Sequence, residues 1–120
     1  MGRRREPDRA KDPETLTRPL CGAPEAEAEF AEAVRWYEAQ RPGLGTEFLA
    51  EVRRARKLIQ KHPTIGSPLR GARRGERRLM VKRFPYQVIY YVRTYDIVIV
   101  ALAHTKRRPG YWKTRVAAAT

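Results

Sequence analysis

The residues of this chain that could do chemistry are mostly cations, and they fall in two runs. The first is Arg73, Arg74, Arg77, Arg78, Lys82 and Arg83. Read as a strand, residues 78–84 put Arg78, Met80, Lys82 and Phe84 on one face, with Leu79, Val81 and Arg83 on the other, because side chains alternate along a strand. Cations so placed can hold the phosphates of RNA or DNA. They can equally hold the carboxylates of an acidic protein, or simply form a solvated sheet face. The second run is His104 to Arg115, where Lys106, Arg107 and Arg108 precede Tyr111 and Trp112. Basic residues interleaved with rings can contact phosphate and stack on unpaired bases. His104 could move a proton near neutral pH, or serve only as a hydrogen-bonded strand end. Tyr111 and Trp112 could instead be core anchors that pin the tail back on the helices.

Other chemistries have too few residues. One cysteine, Cys21, cannot form an internal disulfide, and no histidine neighbours it to make a nucleophile. With His62 and His104 as the two histidines, no zinc pattern is present, and no metal or cofactor is expected. Gly43-Leu44-Gly45 lacks both a leading strand and the rest of a phosphate-loop pattern. There is no Ser-His-Asp set and no paired carboxylates in a plausible site. No apolar run approaches the ~18–20 residues of a membrane helix. No apolar segment follows Met1-Gly2-Arg3-Arg4-Arg5 to make a secretory signal. A cytoplasmic, non-membrane protein is expected.

Charge is unevenly distributed. The net charge is +13. Residues 1–52 carry 8 Lys+Arg against 11 Asp+Glu, giving 8 − 11 = −3, whereas residues 53–120 carry 18 against 2, giving 18 − 2 = +16. So basic a half attracts polyanions: nucleic acid, a ribosome, an acidic partner protein or a lipid head-group layer.

The elements that must position these residues follow from periodicity. Residues 1–14 carry Pro7 and Pro13 and no apolar rhythm, so a disordered extension is expected. Residues 15–115 form the single domain, and 116–120 a tail. Within 15–22 a short strand would be confined to a sheet edge by Pro19. A first helix starts near Pro24, with Glu25, Glu27 and Glu29 at its dipole-favoured end. Phe30, Val34 and Tyr37 form its apolar stripe, widened by Ala26, Ala33 and Trp36, and Pro42-Gly43 stops it after Gln40. A second helix, capped by Thr46, buries Phe48, Val52, Ala55 and Ile59 with Leu49 and Leu58 beside them, and ends at His62-Pro63. The short linker makes the pair an antiparallel hairpin. After a loop over 64–75 the period becomes two: strands over 78–84, 87–93 and 97–103, the last apolar enough for burial on both faces. The fold class is therefore α+β: an N-terminal antiparallel helical hairpin packed on a small antiparallel β-sheet, followed by a basic C-terminal tail.

Taken together, three segments resemble the RelE/ParE toxins of bacterial type II toxin–antitoxin systems. Glu32-Ala33-Val34-Arg35-Trp36-Tyr37-Glu38, Arg41-Pro42-Gly43-Leu44-Gly45 and Phe48-Leu49-Ala50-Glu51-Val52 look like that family's helical hairpin. Arg83-Phe84-Pro85-Tyr86 and Val88-Ile89-Tyr90-Tyr91 look like its central β-hairpin. Ile97 to His104 with Arg108-Pro109-Gly110-Tyr111-Trp112 look like its last strand and tail. No single segment is diagnostic; their order and spacing together, over about residues 24–115, are fairly specific. The resemblance implies a toxin neutralised by a cognate acidic antitoxin. It also implies one of two activities: RelE-like members cleave mRNA on the ribosome without a metal, and ParE-like members inhibit DNA gyrase. Two positions depart from the nuclease pattern. Gln87 stands where RelE carries a functional arginine, and Trp112 aligns nearest the C-terminal tyrosine, with Tyr111 beside it. Glutamine cannot supply a cation to developing negative charge.

Gyrase inhibition is accordingly the leading expectation. The alternatives are a ribosome-dependent endoribonuclease using Arg78, Lys82, His104 and Tyr111, and a stand-alone basic nucleic-acid-binding domain. Target contacts are expected from Arg78, Lys82, Arg83, Lys106, Arg107, Arg108, Tyr111 and Trp112. If the tail carries toxicity, removing residues 104–120 should leave a folded, non-toxic protein.

Overall fold

The structure, a computed structural model, describes residues 18–118, with side chains described through Val116. The extension expected over residues 1–14 lies outside the described residues. The elements run β1 (Leu20–Gly22), α1 (Pro24–Gln40), α2 (Leu44–Lys61), β2 (Ser67–Pro68), β3 (Arg77–Met80), β4 (Tyr86–Val92), β5 (Ile97–His104) and α3 (Lys113–Ala118). The sheet order is β1-β5-β4-β3-β2. Strands β3, β4 and β5 form the expected antiparallel meander. β1 begins immediately after Pro19, sits at the edge and pairs parallel with β5, which makes the sheet mixed. Between these parallel neighbours the chain runs through α1 and α2 and then back across the sheet along β2, β3 and β4, a long connection of the kind parallel pairing requires.

The two faces of the sheet bury separate apolar clusters. On one, Ala33 and Tyr37 of α1 and Phe48, Val52 and Ile59 of α2 meet Val88, Tyr90, Ile99 and Leu102. On the other, Trp112 and Val116 meet Ile89, Tyr91, Val100, Ala101 and Ala103. A bulge opposite Ile89/Tyr90, where Ala101 and Ile99 are the successive partners, leaves Val100 as the extra residue. Val100 and Ala101 then both turn toward the second cluster, as adjacent residues at a bulge can. The continuous apolar run of β5 is thus explained by cover on both sides.

The helical hairpin differs from expectation in how it is capped. Thr46 lies inside α2; the N-cap is Gly43, at φ 91, a left-handed conformation that suits glycine. The Glu38 carboxylate at the end of α1 accepts from the Gly43 N–H at 2.9 Å and from the Gly45 N–H at 2.9 Å. A carboxylate from the preceding helix therefore replaces the local hydroxyl, satisfying otherwise orphaned donors at the α2 start. A Cβ on Gly45 would come within 2.7 Å of the Val34 carbonyl oxygen, so this glycine also sets how closely the helices approach.

Strand β3 stops at Met80, short of the expected 78–84. Arg83 adopts φ 72, the Val81 N–H bonds the Tyr86 carbonyl at 2.9 Å, and the chain turns over 82–85. The alternation ends there. Phe84 is buried under the helices while Met80 is 50% exposed. The loop expected over 64–75 contains β2, a two-residue strand paired with Arg77 and Arg78.

Candidate functional site

Arg78 and Lys82 do not share a strand face. Arg78 pairs with Ile89 on β4, so it projects from the α3 side of the sheet, whereas Lys82 is exposed on the turn after β3. Arg83 is half-exposed and folds back on α2, donating to Glu47 at 2.8 Å and lying 3.8 Å from Glu51. With Arg41 also on Glu47, the two guanidiniums hold that carboxyl below its usual range. Arg83 therefore ties the turn to α2, and its charge is already engaged.

The tail is more ordered than a basic run suggests. Trp112 is buried and forms, with Val116, the cover over the second sheet face rather than a contact with the α1–α2 hairpin. Tyr111 reaches the other way. Its hydroxyl donates to Glu29 of α1 at 2.7 Å. Arg115 clamps the same carboxylate with two bonds, at 3.0 and 2.9 Å, and also donates to the Val100 carbonyl at 3.1 Å. The Leu102 N–H, on the part of β5 that β1 does not reach, donates to Glu29 at 3.1 Å. Glu29 thus joins α1, the open edge of β5 and the tail. Burial, and then the Glu29 carboxylate beside it, push the Tyr111 phenol well above its usual range. A phenol so held is a poor source of phenolate or of a shuttled proton at neutral pH.

His104 is partly exposed; its Nδ1 accepts from the Lys106 N–H at 3.0 Å, and its ring meets Tyr86 edge-on at 5.1 Å. Arg107 lies over the Tyr111 ring, 3.8 Å from its centroid, and 3.9 Å from Glu29. Lys106 and Arg108 are exposed, and no partner of either side chain is seen among the described residues. Gln87 stands opposite Met80 and Ala103, and its buried Oε1 has no hydrogen-bond partner among the described residues. The nuclease quartet of Arg78, Lys82, His104 and Tyr111 is therefore not one cluster: Arg78 and Lys82 stand on different surfaces, while His104, against Tyr86, and Tyr111, held on Glu29, belong to the end of the molecule where Glu29 and His104 line one groove.

Two features escaped the sequence. Glu29 read as one of three dipole-favoured acids, and nothing local distinguishes it from Glu25 and Glu27, because its partners lie more than seventy positions away. Trp36 read as part of the buried stripe, yet it is 58% exposed. The buried positions Ala26, Ala33 and Tyr37 keep helical spacing, which leaves residue 36 at the rim. Trp36 there overlooks a groove of about 530 Å³ between α1 and the β4–β5 end, walled by Tyr37, Pro85, Tyr86 and His104, with Glu32 and Arg107 at its polar margins. Among the described residues, no group of three or more His, Cys, Asp or Glu could hold a metal ion, and no helix is long and apolar enough to cross a membrane.

The helical hairpin on a meander, its parallel edge strand and its tail folded over the far face define a small basic α+β class. Residues 23–109 match the family model described as the ParE toxin of the type II toxin–antitoxin system parDE, and the chain belongs to that family. Among solved structures it is similar to a chain titled "Chromosomal ParDE TA system from P. aeruginosa", at 18% identity and a TM-score of 0.63, covering 73% of this chain and 96% of that one. That likeness is one of fold. A search of curated proteins finds no match.

Proposed function

We propose that this ParE-family toxin acts by binding and inhibiting DNA gyrase, and that a cognate acidic antitoxin neutralises it in the cytoplasm. The observation that carries the choice of binding over cleavage is the state of Tyr111. Its hydroxyl is committed to Glu29 and its acidity suppressed, and Gln87 offers no cation where a nuclease of the wider family would need one. The basic half, net +16 by 18 − 2 over residues 53–120, supports an acidic partner. Exposed Trp36 over its groove supports an aromatic anchor in such an interface.

Supercoiling by purified gyrase, with and without this protein, tests the reading. Inhibition that is reversed by the antitoxin encoded beside it is the expected outcome. Unimpeded supercoiling at concentrations far above those that arrest growth would reject gyrase as the target.

A further inference from the structure

A second concavity lies on the opposite side of the molecule, away from the Trp36 groove. It encloses about 400 Å³ between the loop that precedes β3 and the start of α3, within the roughly 300–1,000 Å³ range of small-ligand sites. Trp112 and Val116 wall it, and Arg73 and Lys113 stand exposed on its lining. Glu76 also lines it, and is 2% exposed. Its Oε1 accepts one long bond, 3.3 Å, from the Arg74 N–H. Among the described residues its Oε2 accepts none, and no cation pairs with the carboxylate.

Glu76 is nearly enclosed, and an ionised carboxylate can only accept hydrogen bonds. The remaining acceptor capacity in this site therefore calls for N–H donors. A lone cation fits poorly, because Arg73 and Lys113 would repel it. A ligand that carries donors at one end and an anion at the other satisfies both: donors to Glu76, anion to the two cations. A nucleotide is such a molecule. Guanine is the best match among the bases, because it sets two N–H donors side by side on its pairing edge, the arrangement a carboxylate accepts. The setting also favours phosphate over a zwitterionic amino acid, since Arg70, Arg74 and Arg78 lie exposed on the adjoining loop and strand.

We infer that this pocket binds a single unpaired nucleotide, guanine preferred, with Glu76 accepting from the base and Arg73 and Lys113 holding the phosphate. The inference is independent of the gyrase reading, since it concerns a different surface and needs no cleavage.

The test uses the full-length protein carrying Trp36→Phe, so that Trp112 is its one tryptophan and its fluorescence reports on the pocket. Guanosine monophosphate should give a saturable change. Uridine monophosphate, inorganic phosphate and free arginine should bind at least about tenfold more weakly, the scale of one good base contact. Glu76→Gln should lose about tenfold for guanosine monophosphate and little for phosphate. Should that variant fail to fold by circular dichroism, Arg73→Ala, an exposed change, carries the test and should weaken every phosphate-bearing ligand. Short unpaired RNA and DNA strands containing one guanine then distinguish which nucleic acid supplies the nucleotide. Equal binding of guanosine and uridine monophosphates, undiminished binding by Glu76→Gln, or no saturable response would each overturn the assignment.

Discussion

Glu29 gathers a phenol, a guanidinium and a backbone N–H that are far apart in sequence, so the consequences of losing it reach across the molecule. Its side chain is 18% exposed and that of Arg115 17%. Breaking a largely buried pair leaves the other charge uncompensated, so Glu29→Ala should cost about 2–4 kcal/mol in urea unfolding. The same variant has a spectroscopic signature. Tyr111 should ionise at lower pH once the carboxylate is gone, read as absorbance of the phenolate. The sign of the stability effect follows. The folded phenol ionises above its ordinary value of 10.0. Its contribution to stability is therefore intact below about pH 10 and is lost as the pH rises through the folded value. An unchanged Tyr111 titration in Glu29→Ala would show that the carboxylate does not govern it. Tyr90 offers a second residue-level check. Its buried hydroxyl accepts from Gly66 N–H at 2.9 Å and donates to the Pro63 carbonyl at 2.7 Å. Tyr90→Phe should cost about 1–3 kcal/mol, since it strands a buried donor; a neutral effect would mean that the loop re-pairs without it.

At the scale of elements, helices were legible and caps were not. The first helix runs from Pro24 to Gln40 as expected because Pro24 fits its first turn and the Pro42-Gly43 sequence ends it. The second helix is built on the carboxylate of the first, a contact across a turn that no local pattern contains. Glu38→Ala should lower stability by about 1 kcal/mol by thermal or denaturant unfolding, the usual value of an N-cap. Thr46→Ala should do much less, and a reversal of that order would contradict the capping scheme. The third strand was legible in type but overextended, since Arg83 takes a left-handed backbone that residue type alone does not announce. An unbroken strand would set Arg78 and Lys82 on one face; instead Arg78 projects beside α3, Lys82 sits on a turn, and Arg83 is engaged by Glu47 and Glu51.

For the whole molecule, patterning revealed the layers on one face of the sheet and missed the other. The apolar run of β5 signalled burial on both sides, but the element that covers the second side was read as a basic tail. Its cover comes from Trp112 and Val116, spaced four apart on and before a short helix. This changes what truncation should do. Removing residues 104–120 would uncover Ile89, Tyr91, Val100 and Ala101, so the truncated chain should lose cooperative unfolding or aggregate rather than persist as a folded, inactive toxin. A truncated chain that melts like the intact one would contradict the two-cluster core. The charge asymmetry was legible from composition alone, and it has a consequence at this scale: antitoxin affinity should fall as salt rises. Affinity insensitive to salt would mean that the groove beside Trp36, and not the basic half, carries the binding.

A toxin that binds its target and one that cleaves RNA leave different traces in the cell, and one paired experiment separates them directly. Inducible expression in bacteria, with RNA 5′ ends mapped across the transcriptome, is run beside a supercoiling assay on the purified protein. Growth arrest with intact RNA and blocked supercoiling is the predicted result. New RNA ends phased to ribosome position, with supercoiling unaffected, would contradict it and would mean that cleavage proceeds despite the Glu29-bound Tyr111.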